Sequence, residues 1–163
     1  MKNELVSVEI RTDVDTDPDY SFYGYWTDNP PEGSVEGGWA FRRSGPRNFS
    51  YKYFVAANPD NGPKACREDW QRMEAQENGE WSMIGVWAVA TIKVGSKDFR
   101  LEQEIRSSGI WGVESNSGAG HLLELATEEL QQLIDQLGYL NVGTAGFPEL
   151  AAKALSELTE EVR

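Results

Sequence analysis

The chain reads as α+β, an antiparallel sheet of about five or six strands packed against two or three helices. Three observations predict this. Short segments with strand-like alternation fill the first 56 residues. A long alternating apolar run at residues 81–94 is joined by a short glycine-containing link to a further strand-like run. The last third carries apolar residues at helical spacing. Strands first, then a helix, a hairpin and two helices make an α+β layer domain, taken as one domain over residues 1–163 with an acidic helical part at about 116–163.

Each element has a local reason. In Leu5–Arg11, Val6, Val8 and Ile10 alternate with polar neighbours, the pattern of a half-buried strand. Asp13 to Asp19 is polar, and Asp17-Pro18-Asp19 signals a turn. Ser21–Thr27, with Phe22, Tyr23, Tyr25 and Trp26, is a second strand, stopped by Asp28-Asn29-Pro30-Pro31-Glu32-Gly33. Gly38–Arg43 and Asn48–Ala56 follow, the latter with Phe49, Tyr51 and Tyr53 on one face. After the turn cluster at residues 58–63, Lys64–Gln76 places Cys66, Trp70 and Met73 on a narrow helical stripe that Asn78-Gly79 ends. Trp81–Val94 is a long strand, with Ile84, Val86, Ala88 and Ala90 on one face and Met83, Trp87, Val89 and Thr91 on the other. Gly95-Ser96-Lys97-Asp98 links it to Phe99–Ile105 as an antiparallel hairpin. Leu122, Ala126, Leu130, Leu133 and Leu137 form the stripe of a helix over Gly118–Leu137, with Gly138 where a left-handed cap belongs. A last helix starts near Pro148 and turns Leu150, Ala154, Leu155, Leu158 and Val162 inward.

Composition narrows the function. The 163 residues are 39 % hydrophobic and 11 % aromatic, too much large apolar surface for a disordered chain. Asp and Glu number 27 against 15 Lys and Arg, a net charge of −12 that repels phosphate backbones and makes nucleic acid an unexpected partner. The charge sits at the ends. Residues 1–24 sum to −4 and residues 113–163 to −7, together −11 of the −12. One cysteine, Cys66, and one histidine, His121, exclude an internal disulfide and a Cys/His zinc site. The single thiol suits a reducing cytoplasm, and MKNELVSVEIR carries no apolar run after its lysine, so a secretory leader is not expected. Met83–Val94 falls far short of the ~20 residues a membrane span needs.

Motifs of chemistry are scarce. Asp13, Asp15, Asp17 and Asp19 have the spacing of a calcium loop. An EF-hand needs Gly at the sixth position and Glu at the twelfth, where this chain has Pro18 and Gly24. The segment therefore reads as a solvated acidic loop, with a cation site of another kind left open. No P-loop, GxSxG, HExxH or helix-opening GxGxxG occurs. Ser117-Gly118-Ala119-Gly120 reads as a turn opening the next helix, His121 as a surface residue, and Cys66 as a structural thiol. Arg42, Arg43, Arg47 and Lys52 lie among Trp39, Phe41, Phe49, Tyr51 and Tyr53, which reads as a sheet with one charged face; a stacking platform for single strands is the alternative. Acidic flanks raise DNA mimicry. A helix over Gly118–Leu137 with Glu124, Glu128, Glu129 and Asp135 carries roughly one charge per 7–8 Å, against one per about 1.7 Å of duplex axis. One helix is a poor copy.

Several phrases resemble an uncharacterised family of phage and mobile-element proteins. They are Tyr20-Ser21-Phe22-Tyr23-Gly24-Tyr25-Trp26-Thr27-Asp28-Asn29-Pro30, Tyr51-Lys52-Tyr53-Phe54-Val55, Asp69-Trp70-Gln71-Arg72-Met73-Glu74, Gly79-Glu80-Trp81-Ser82-Met83-Ile84-Gly85-Val86 and Ser107-Ser108-Gly109-Ile110-Trp111-Gly112-Val113-Glu114-Ser115. The Trp-Gly-Val-Glu-Ser phrase is the most specific of them. The resemblance spans residues 20–115 and implies a phage or plasmid origin, but no catalytic residues and no role for the C-terminal helices. On physical grounds, Ile110, Trp111 and Val113 end the hairpin strand and seal the sheet–helix junction, Gly109 and Gly112 permit a bulge, and Glu114 is a site residue or a helix cap.

The expected function is a non-enzymatic binding protein in the cytoplasm of a bacterial host. It engages, through an acidic surface, a host protein with a basic surface, such as a defence system or nucleic-acid enzyme. The candidate docking residues are Asp13, Asp15, Asp17, Asp19, Glu124, Glu128, Glu129 and Asp135. No catalytic residue, cofactor or metal ligand is assigned, and a homodimer stays open. The alternatives are a small enzyme or ligand-binding protein with a site near Trp39, Tyr51, Trp87 and Trp111, and a single-strand binder using the basic strand.

Overall fold

A computed structural model describes residues 3–44, 51–96 and 100–161. The fold is α+β. In chain order it comprises strands β1 (Asn3–Val14), β2 (Gly24–Thr27), β3 (Ala40–Arg42) and β4 (Tyr53–Ala56), helix α1 (Pro63–Glu77), strands β5 (Met83–Gly95), β6 (Arg100–Arg106) and β7 (Ile110–Glu114), helix α2 (Ala119–Tyr139), strand β8 (Val142–Gly143) and helix α3 (Phe147–Glu161). Where the sequence reading takes residues 1–163 as one domain, the contacts group into two compact units. The first joins Met1–Thr16 to Met83–Arg163, and the second is Asp17–Ser82.

The first unit is a five-stranded sheet in the order β6-β5-β1-β8, with β7 also paired to β5. β1 and β5 run antiparallel from Glu4 opposite Lys93 to Val14 opposite Ile84. β8 adds a short parallel pairing to β1. β6 takes the C-terminal half of β5 and β7 the N-terminal half, so Ser107-Ser108-Gly109 lies where one partner strand replaces the other. The expected alternation holds along β5. Val86, Ala88, Ala90 and Ile92 turn to the helices, where they meet Leu122, Ala126, Leu130, Leu133 and Leu137 of α2. Small Ala side chains let the helix approach the sheet. α3 adds Phe147, Ala154 and Leu158 to the same layer.

Register changes one detail of β1. A bulge lies between Leu5 and Ser7, so Leu5, Val8 and Ile10 face the core and Val6 is turned outward. Strict alternation through Val6 fails because a bulge adds one residue and flips the face of what precedes it. The end of α2 also differs. The helix runs through Gly138 to Tyr139, and the left-handed residue is Asn141, at φ 53°. Asparagine visits that conformation more readily than other residues with a side chain, and its position lets Val142 enter the sheet directly. Phe99 and Val162 lie outside the described residues, as do positions 97 and 98 of the hairpin link.

The second unit is a three-stranded antiparallel sheet, β2-β4-β3, with α1 against β4 and β3. Its core is Phe41, Phe54, Ala56, Cys66 and Met73, walled by Tyr20, Tyr23, Trp26, Trp39 and Trp70. The strands are shorter than the alternation suggests: Phe22 and Tyr23 form a turn, β4 begins at Tyr53, and Arg47 and Phe49 lie outside the described residues. Trp81 does not open β5. It is buried in this unit, its indole N–H donates to the Arg72 carbonyl at 2.9 Å, and the Tyr20 and Tyr23 rings meet it at 6.0 Å.

Candidate binding surfaces

The face of the first sheet turned away from the helices carries the residues between those of the core. Trp87 lies between Val86 and Ala88, so alternation sends its indole to this face, opposite α2 and α3. There it stacks with Trp111 of β7 at 5.6 Å between centroids and 20° between planes. Gly85 makes room for this arrangement. A Cβ added there would lie 2.5 Å from Trp111 Cε3, so the indole is laid against bare backbone on one side while the residue stays 54 % exposed. Asp13 is directly opposite Gly85 in the β1–β5 ladder and Arg11 is opposite Trp87, which places both on the same face as the two indoles.

Asp13, Trp87, Arg106, Ser107, Ser108, Gly109 and Trp111 line an open groove of about 350 Å³. Its charges are largely matched. Glu104 accepts from Arg11 at 2.8 Å and from Arg106 at 3.0 Å, and Arg11 also meets Glu9 at 3.0 Å. These two guanidinium groups hold the Glu104 carboxyl down to about 2, and the Arg11 guanidinium is raised in turn by Glu104 and Glu9. Asp13 is exposed, its Oδ1 accepts the Val14 backbone N–H at 2.8 Å, and among the described residues it has no cationic partner.

The rim of the groove is pinned from below by α2. Glu129 Oε2 accepts the Gly109 backbone N–H at 2.9 Å, and Gln132 Oε1 accepts the Ser108 hydroxyl at 2.7 Å. Ser107 Oγ accepts the Ala88 N–H at 2.8 Å, closing the sheet edge where β6 gives way to β7. Gly109, at φ +78°, makes the turn that brings these groups together. Glu129 is 0 % exposed, and its Oε1 has no hydrogen-bond partner among the described residues. Trp87 Nε1 is likewise covered and unpartnered.

The predicted acidic residues do not all share a surface. Asp13 and Asp15 belong to the first unit, Asp17 and Asp19 to the second. Asp19 accepts the Ser21 backbone N–H at 2.8 Å, and Ser21 holds its carboxyl below the usual range. Glu124, Glu128 and Asp135 are exposed on α2. Glu129 is the correction. Its burial removes it from any docking face, and the sequence held the signal: it lies three residues after Ala126 and four before Leu133, on the apolar stripe itself. Sequence reading also passed over Gly85, Arg106 and Gln132, whose roles depend on register and on which helix crosses the Ser107–Gly109 turn.

Of the four aromatic residues expected to form one site, Trp87 and Trp111 meet, while Trp39 and Tyr51 belong to the second unit. In the basic cluster, Arg43 packs over Trp26 at 4.1 Å and pairs with Glu77, and Phe41 is buried against Trp70, leaving Arg42 and Lys52 exposed. Cys66 is 0 % exposed, and burial with nearby Asp69 pushes its thiol up, away from the nucleophilic thiolate. His121 sits in the first turn of α2, 3.9 Å from Glu124. Gly118 occupies the helix N-cap position, which Glu114 therefore does not. A second groove, of about 400 Å³, lies where β1, β8 and α3 meet, lined by Leu5, Leu150 and the Arg100–Glu4 pair. Among the described residues no three His, Cys, Asp or Glu side chains form a metal-binding group, and no helix is long and apolar enough to cross a membrane. No family model, curated protein or solved structure matches this chain.

Proposed function

We propose that the chain is a binding protein that docks through the acidic solvent side of its α2–α3 layer onto a protein with a basic surface. One observation carries this reading. The exposed carboxylates Glu124, Glu128 and Asp135 on α2 and Glu149, Glu157, Glu160 and Glu161 on α3 face water with one lysine between them, Lys153, itself 3.5 Å from Glu157. A layer of one sign steers a partner of the other sign and discriminates against like-charged ones. With Glu129 buried, the charge density falls further below that of a duplex, so a basic protein face fits better than a site shaped for DNA. The resemblance to phage and mobile-element proteins supports a host protein as that partner, whether a defence component or a nucleic-acid enzyme.

The test uses tagged wild-type chain and an E124Q/E128Q/D135N/E157Q variant in lysate of a bacterial host. The expected result is a partner held at about 50 mM salt and released at about 500 mM, where the Debye length shrinks to a few ångströms, and not held by the variant. A partner held equally by both proteins, or none held at low salt, overturns the reading.

A further inference from the structure

The face of the same sheet opposite α2 and α3 offers a second kind of chemistry, independent of the helix layer because alternation along β5 separates the two. We propose that the groove over Trp111 is a guanidinium site, in which an arginine side chain presented by a protein partner lies on the Trp111 indole with its fork on the Asp13 carboxylate. Three observations converge on it. Gly85 holds the Trp111 ring against the backbone and Trp87 stacks with it, yet the residue stays 54 % exposed, so indole surface remains for a ligand. Tryptophan is the strongest side-chain platform for a cation, and arginine, being flat, both stacks and donates in plane.

The charge balance selects the sign of the ligand. Glu9, Asp13 and Glu104 oppose Arg11 and Arg106, and both arginines are already engaged by Glu104. An anion would meet two guanidinium groups whose charge a carboxylate already offsets. A cation finds Asp13 without a cationic partner, directly opposite Gly85 and so beside the indole. A carboxylate takes two parallel N–H donors from a guanidinium, which an ammonium cannot supply in one plane. The groove, at about 350 Å³, lies near the small end of ligand sites, which run from roughly 300 to 1,000 Å³. That suits one side chain.

The experiment follows the backbone and indole N–H resonances of the full chain as N-acetyl-arginine amide is added. N-acetyl-lysine amide and guanosine monophosphate are titrated in parallel at matched ionic strength. The expected result is a saturable shift of the Trp111 indole and the Ser108 and Gly109 amides, with a dissociation constant on the order of millimolar for so small a ligand. The lysine compound should bind at least about threefold more weakly, since it lacks the planar fork. Asp13→Asn, which keeps the Val14 contact, should weaken arginine binding about fivefold or more through loss of the charged acceptor. Trp111→Ala should abolish the saturable shift. No saturation, equal shifts from lysine, stronger binding of the nucleotide, or an unchanged affinity in Asp13→Asn each overturns the proposal. The E124Q/E128Q/D135N/E157Q variant should bind the arginine compound as wild type does, so failure of this site and failure of the docking layer are read separately.

Discussion

At the residue scale, two positions on opposite sides of the sheet decide how the groove is built. Gly85 permits the Trp111 ring to lie on the backbone, so Gly85→Ala puts a methyl where the indole rests. Because the ring is half exposed, it can swing away, and the expected cost is about 1–2 kcal/mol, toward the lower end of overpacking changes. Tryptophan emission should move to longer wavelength, and the saturable arginine response should be lost. An unchanged emission spectrum together with unchanged stability would show that Gly85 does not set the ring. Glu129 is the counterpart from the helix side: a buried carboxylate with one backbone donor and one unpartnered oxygen. Glu129→Gln replaces the carboxyl by an amide while keeping an acceptor for the Gly109 N–H, and should leave stability unchanged or raise it. Glu129→Ala leaves that donor unpaired and opens a void, and should cost about 1–3 kcal/mol. Urea unfolding of both variants checks the order; Gln less stable than Ala would mean that the carboxyl group itself is required there.

At the scale of elements, the β1–β5–β6 ladder is tied across the face opposite α2 and α3 by Glu104, and this tie is sensitive to acid. The Glu104 carboxyl is lowered to about 2 by Arg11 and Arg106, below the value of about 4.3 expected in an unfolded chain. The unfolded chain therefore takes the proton first. The stabilisation is whole above about pH 4.5 and is lost as pH falls toward 2. Glu104→Gln should lower stability at neutral pH, flatten the acid loss within that window and leave alkaline behaviour alone. The effect will be modest, because the groups are exposed. Acid titrations followed by circular dichroism check it, and equal slopes for both proteins would dismiss the tie. These same elements show what the sequence could reveal. Period-two alternation in Met83–Val94 and the stripe Leu122–Leu137 are local, long and strong, so β5 and α2 were legible. The bulge at Val6 and the left-handed turn at Asn141 were not, since both depend on which strand is met across the ladder. Trp87 and Trp111 were visible as members of an aromatic site. That they stack follows from the pairing of β5 with β7, and that Asp13 lies beside them from the register Asp13–Gly85; no single segment encodes either.

At the scale of the molecule, β1 and β5 form one continuous antiparallel ladder although the second unit intervenes between them in the chain. The ladder ends as a hairpin does: Val14 faces Ile84, and the Asp15 N–H donates to the Met83 carbonyl at 2.9 Å. Such a closing pair is the geometry that a two-residue turn joins. Each unit also has a core of its own, Leu130, Leu133, Leu137 and Val8 in the first and Phe54, Cys66 and Met73 in the second. The second unit thus has the connectivity of an insertion into a hairpin. Replacing residues 16–82 by Asn-Gly should leave a chain of about a hundred residues, well within the size of an independent domain. It should keep the helical circular dichroism of α2 and α3 and unfold cooperatively on heating. Because Asp13, Trp87, Arg106 and Trp111 all lie in what remains, it should also keep the arginine-dependent shift of the Trp111 indole. A chain that is helical but melts without a transition would mean that the first unit needs the second to fix its packing. A chain that folds cooperatively but has lost the shift would overturn the assignment of the site to these four side chains.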